Sequence, residues 1–311
     1  MGIEDDFLMP LVVFKVRGSV SASGGHDPEN LLRELMIDWG LTPGEEFNLV
    51  DVNIGKEESD NKVKTRAYDF VLPYKLNNFR KLLVQCQFYA GDSGSVSHKN
   101  VDQTRASRNF TKKKIRQSLF VEYLDGAGYF SSLNSDLKSI LSMEDTFDFF
   151  QIRTAPIKLR RLFQYIGFLT PLELIHSLVI HNFNLELVKN SLVSEGYSSE
   201  EVNRVLSSSL EEEIIIKASK GIVVEDKFFE NSRKYFLLDL IFNNSYTINH
   251  NKSRKAMILV PGLNGLAGIK LSEISSSISK VESLYSKHLE SSKNLLSDLE
   301  EISELGWIIN S

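Results

Sequence analysis

The sequence predicts an α/β protein, a mixed sheet flanked by helices, followed by a mainly helical second region. Three observations predict it. Helix-spaced and strand-like segments alternate through the first 150 residues. From Ile157 the pattern changes to short helices broken by turn residues. The 311 residues are 42% hydrophobic and 25% charged, which excludes disordered, collagen-like and low-complexity classes. The expected organisation is residues 1–152 as the sheet domain, 153–245 as a helical, winged-helix-like region, and 246–311 as a strand plus a long C-terminal helix for packing or dimerisation.

Asp27-Pro28-Glu29 opens the first helix, because Asp caps well and Pro suits the first turn. Leu31, Leu32, Leu35, Met36 and Trp39 keep helical spacing, and Gly40 ends the run. Phe47–Ile54 and Thr65–Pro73 read as strands, the second carrying one acid, Asp69. Leu82–Tyr89 is apolar except for Gln85 and Gln87, which share one face of a strand. Cys86 then faces the other way, as a core residue. Val96–Ser107 reads as a polar helix and Ser118–Tyr123 as a further strand. Helices follow over Lys158–Ile166, Pro171–Asn182, Leu185–Glu195 and Ser199–Glu213. Ser198 with Glu201 three residues on is a capping-box signal. Ile214–Ile216 and Ile222–Val224 flank Ser219-Lys220-Gly221 as a hairpin, a candidate wing, before helix Asp226–Asn243. Met257–Val260 is a strand candidate, and Leu271–Leu299 a long helix with Ile274, Ile278, Val281 and Tyr285 as a seam.

Charge is distributed unevenly. The net charge of -5 alone argues against a nucleic-acid partner. Yet residues 61–117 hold 13 Lys and Arg against 3 Asp and Glu, a net of +10 between acidic flanks. Lys99, Arg105, Arg108, Lys112, Lys113, Lys114 and Arg116 crowd one stretch opposed only by Asp102. Such a stretch is an electrostatic footprint for phosphates, or else a solvated helix face. One cysteine excludes an intrachain disulfide framework and a cysteine-based zinc site. The apolar runs are too short to span a bilayer, and MGIEDDFLMP lacks the basic start of a secretory leader, so the expectation is a soluble, cytoplasmic protein. His176 and His181, five apart, do not share a helical face, and GDSGSVSHK lacks the spacing of a nucleotide-binding phosphate loop. No nucleotide cofactor is expected.

The order helix with Glu34, strand with Asp69, then strand Val84-Gln85-Cys86-Gln87 resembles the PD-(D/E)xK nuclease superfamily, specifically its type II restriction endonucleases. The polar helix after the strand and FVEYLDGAGY over Phe120–Tyr129 extend the resemblance, which covers residues 28–140. It implies a restriction-endonuclease-like sheet and Mg²⁺ held by Asp69 and by the residue at position 85. Gln87 stands where Lys is usual, with Glu34 as an upstream helix acid. The spacing of two puts both glutamines on one sheet face. It further implies a homodimer cutting double-stranded DNA at specific sites, with His98, Lys99, Arg105, Arg108, Lys112, Lys113 and Lys114 contacting DNA. Arg153, Lys158, Arg160 and Arg161 would add contacts at the entrance to the helical region. Gln85 departs from the pattern, since a hard cation prefers a charged oxygen ligand. The chain is then either a Glu-to-Gln form or a natural weak-metal member. Two other readings stay open. One is a non-catalytic DNA-binding protein with a degenerate nuclease-like core. The other is a helical interaction protein.

Overall fold

The run LLVQCQF forms the central strand β2 (Leu82–Phe88) of a four-stranded mixed sheet in the computed structural model. The structure describes residues 27–54, 65–88, 94–125, 136–152, 154–219, 221–245, 247–248, 258–259, 269–270, 275–285, 298–299 and 308–309. The chain divides into two compact units, residues 1–34 with 42–152, and residues 35–41 with 153–311.

In the first unit the sheet order is β1 (Phe70–Leu72), β2, β3 (Leu119–Asp125) and β4 (Thr146–Phe150). β1 and β2 are antiparallel, with Phe70 opposite Val84. β3 is parallel to β2, with Gln85 opposite Glu122, and β4 is parallel to β3. Helix α1 (Asp27–Asp38) contributes its first turns to this unit, and its Arg33 guanidinium lies 4.9 Å from the centre of the Phe70 ring. α2 (Gly94–Lys114) joins β2 to β3, and α3 (Asp136–Ser142) precedes β4. Tyr68, Val71, Leu83 and Phe120 form one core cluster, and Val101, Ile140 and Met143 another.

Several departures from the sequence reading have local causes. Phe47–Ile54 makes only isolated bridges, Phe47 with Pro43 and Val52 with Tyr68, with Leu49 and Val50 between them at a bend and exposed. The strand expected over Thr65–Pro73 shortens to Phe70–Leu72. Asn48 takes a ladder partner's place, donating to the Asp69 carbonyl at 2.8 Å and accepting from the Val71 N–H at 2.6 Å. α2 runs on to Lys114 despite its Ser and Thr content. The hydroxyls of Ser107 and Thr111 are absorbed by the carbonyls four residues back, each at 2.9 Å. Lys81, buried at the start of β2, donates its ammonium to the carbonyls of Pro73, Tyr74 and Leu76 and so closes the turn between β1 and β2. β4 is a short aromatic strand, TFDFF, that periodicity did not reveal.

The second unit is mainly helical, with α4 (Ala155–Tyr165), α5 (Pro171–Ile180), α6 (Leu185–Ser194), α7 (Ser199–Glu211), hairpin β5 (Ile215–Ala218) and β6 (Gly221–Val224), then α8 (Asp226–Ser245). Thr170, Asn184 and Ser198 cap α5, α6 and α7 through their side-chain oxygens. Trp39 is buried here, edge-on to Phe163 and Tyr235. Gly40 has φ +84°, and a Cβ there would lie 2.8 Å from the Pro171 Cβ, so both conformation and space demand glycine. Short pairs follow, β7 (Thr247–Ile248) with β8 (Ile258–Leu259), and β9 (Ile269–Lys270) with β10 (Ile308–Ile309). In the expected C-terminal helix, α9 covers Ser275–Tyr285, with Val281 and Tyr285 of the seam buried. Among the described residues, no helix is long and apolar enough to cross a membrane.

Candidate active site

Asp69 sits just before β1, where Asn48 and β2 fix the backbone, and its side chain is buried. Its Oδ2 accepts the Cys86 N–H at 2.7 Å. The Arg66 guanidinium lies 3.7 Å from the same oxygen and donates to the Cys86 carbonyl. Burial pushes the Asp69 carboxyl up from 3.8 to about 7, with Arg66 and the Cys86 N–H opposing it. Ligand atoms of Glu29, Asp69 and Cys86 all lie within 4.8 Å of one another. Burial also pushes the Cys86 thiol well up, so it stays protonated near neutrality. The oxygens of Glu29 and Asp69 are therefore the hard donors in this group, and two carboxylates are a common protein contribution to a magnesium site.

Gln85 and Gln87 occupy the opposite face of β2 from Cys86. Gln85 donates to the Ala67 carbonyl at 3.3 Å, and its own Oε1 is buried with no partner among the described residues. Gln87 donates to Glu122 Oε2 at 3.0 Å. Glu122 is wholly buried on β3, and its other oxygen accepts from Arg108. Burial raises the Glu122 carboxyl, against the pull of Arg108. Arg108 continues to Asp145 at 2.8 Å and Thr146 at 2.7 Å, and Asp145 also holds Lys112 at 2.6 Å.

The structure thus regroups the expected residues. Asp69 has Glu29 and Cys86 as neighbours, where the sequence reading paired it with Gln85. Glu34 is exposed on α1, and Glu29, five residues earlier, is the helix acid near Asp69. Glu29 and Glu122 were missed. The signals were present: an acid in the first turn of a capped helix, and a lone acid inside the apolar strand LFVEYLD.

The expected DNA contacts also divide. His98 and Lys99 lie on α2, with side chains outside the described residues. Arg105, Lys112, Lys113 and Lys114 are exposed. Arg108 is not, at 0% exposure, because its charge is spent on Glu122 and Asp145. At the entrance to the helical region, Lys158 and Arg160 are buried. Arg160 is held by Glu173 and Asp239, at 2.6 and 2.9 Å, and Arg161 lies 4.0 Å from Asp239. Arg161 is exposed, whereas the burial of Lys158 and Arg160 leaves little of either side chain for a phosphate. Arg153, residues 89–93 and the Gly126–Tyr129 end of FVEYLDGAGY lie outside the described residues. Comparisons with protein families, with curated proteins and with solved structures found no match.

Proposed function

We propose that the first unit is a restriction-type endonuclease that hydrolyses phosphodiester bonds of double-stranded DNA with a divalent cation, Mg²⁺, as cofactor. The observation that carries this reading is Asp69. Its carboxyl is buried, raised to about 7, and close to a second carboxylate, while its nearest cation, Arg66, stands off at 3.7 Å. A buried anion so placed gains much from a cation. Glu29 and Asp69 would hold Mg²⁺, which supplies polarisation of the scissile phosphate and a more acidic bound water. Arg66 would offset phosphate charge at the rim. Gln87, fixed by Glu122 and through it by Arg108, stands on the other face of β2 from Cys86 and has a supporting role only.

The order of strands and helices supports a restriction-endonuclease-like sheet, and α5, α6, α7 with the β5–β6 hairpin follow a winged-helix order. Residues 171–213 hold eight acidic and two basic residues, so the reading assigns DNA to the first unit. A cytoplasmic homodimer is the fitting form, since two strands need two sites.

A second reading, a DNA-binding protein with a degenerate core, is favoured by the neutrality of Gln85 and Gln87 and by their internal hydrogen bonds. One experiment separates the two. The chain and its Asp69→Asn, Glu29→Gln and Gln85→Glu variants are incubated with mixed plasmid DNA in Mg²⁺ or Mn²⁺. Discrete fragments are expected from the unaltered chain or Gln85→Glu. Asp69→Asn and Glu29→Gln should lose more than the roughly 10–100-fold typical of an outer-shell change. Binding without cutting by any form selects the second reading, and neither binding nor cutting rejects both.

A further inference from the structure

α2 has two chemically distinct faces. Val101, Thr104, Ser107, Arg108 and Thr111 are buried on the inner one. On the outer one Asp102 and Arg105 are 82% and 61% exposed, and Asn109 and Lys113 are exposed too. Arg105, Asn109 and Lys113 step by four, so they form one row, about 6 Å apart along the axis. Beside this row Ala106 and Phe110 line a shallow cleft shared with Asn109 and Lys113. The Lys113 ammonium lies 5.6 Å from the centre of the Phe110 ring. Among the described residues, the one ion pair on this row is Arg105 with Asp102 at 3.9 Å, a long and exposed contact.

We infer that this row is the element by which the protein reads duplex DNA, with Asn109 contacting an adenine–thymine pair in the major groove and Arg105 and Lys113 gripping phosphates on either side. The inference rests on the DNA reading above and specifies its recognition surface. A carboxamide donates to adenine N7 and accepts from its N6 amino group, whereas guanine offers two acceptors on the same edge and cannot match both. The thymine methyl of the same pair requires an apolar neighbour, and Ala106 and Phe110 flank Asn109. A single helix, about 10–12 Å across, fits a groove about 12 Å wide. Basic residues one turn either side of the polar reader supply the sequence-independent grip. Arg108, the basic residue adjoining Asn109, is turned inward and takes no part.

The test uses the full chain with Ca²⁺ and a library of randomised duplexes, sequencing the bound fraction. The expected result is an enriched site containing an A·T pair whose preference falls about 5- to 150-fold in Asn109→Ala. Arg105→Ala and Lys113→Ala should weaken all sequences alike. Each should also lower the slope of log affinity against log salt by about 0.9. All three residues are exposed, and an unchanged melting temperature shows that the fold is kept. An Asn109→Ala protein with the full original preference, or a site without an A·T pair, overturns the inference while leaving the cleavage reading standing. No duplex binding and no cutting by the unaltered chain overturns both.

Discussion

Replacing Asp69 by Asn should stabilise the first unit at alkaline pH and do little at acid pH. In the folded protein the Asp69 carboxyl titrates near 7, against 3.8 when unfolded. The folded state therefore holds a proton that the unfolded chain has released between these values. Stability falls as pH rises through that interval, because the native state binds more protons there. A difference of about three units, at about 1.4 kcal/mol each, makes the charge cost about 4 kcal/mol above pH 8 and nothing below pH 4. Asparagine keeps an oxygen for the Cys86 N–H, and the attraction of Arg66 is already included in the raised value, so the expected gain stays about 4 kcal/mol. Trp39 belongs to the second unit, so its fluorescence does not report on this site. Hydrogen exchange of a peptide spanning Leu82–Phe88 does, corrected for intrinsic rates at pH 5 and pH 8. Asp69→Asn should gain clearly more protection at pH 8 than at pH 5, where only the first part of the interval has been crossed. Adding Mg²⁺ should protect the unaltered chain at pH 8 and leave the variant unchanged. Equal protection of the two proteins at pH 8, or an equal gain at both pH values, would refute the reasoning.

Arg108→Leu removes the charge partner of a wholly buried carboxylate and should cost about 3–5 kcal/mol in urea unfolding. Adding Glu122→Gln should recover part of that loss, and purely additive losses would show that the two side chains are not coupled. Gly40→Ala meets both a positive φ and the Pro171 Cβ, and should destabilise the second unit by about 2–4 kcal/mol, read by Trp39 fluorescence. A change under half a kilocalorie would mean that the turn relaxes freely. Ser198→Ala removes the α7 cap and should cost about 1 kcal/mol by the same assay.

Three helices of the second unit carry a local signal at the start: Thr170 before Pro171, Asn184, and Ser198 with Glu201. Such signals act over four residues and need no tertiary partner. The sheet was legible at Leu82–Phe88 for the same kind of reason, a pattern internal to the segment. What the pattern could not convey is which residue from elsewhere meets it. Asn48 replaces a strand partner across more than twenty residues, and shortens β1 in doing so. Glu29 comes to Asp69 from a helix forty residues away, while Glu34 was the helix acid that the family resemblance implied. Arg108 counted as one of a basic run, and nothing in the run distinguishes the residue that turns inward. That distinction comes from Glu122, fourteen residues on.

The interior position of Arg108 also bears on how the strands find their alignment. β4 meets β3 with an irregularity, since Phe120 faces Thr146 while Val121 faces Asp148. A parallel pair of this kind, flanked by Phe147, Phe149 and Phe150, has several apolar residues that could trade places if it slid. One guanidinium spans the junction, bonding to Glu122 on β3, to Thr146 at the first position of β4, and to Asp145 just before it. Gln87 joins the same carboxylate from β2. Sliding β4 by one residue would bring Phe147 to the place of Thr146 and leave the cation short of acceptors. The arrangement therefore selects one alignment of three neighbouring strands with a single side chain, a directional constraint that apolar packing alone does not supply.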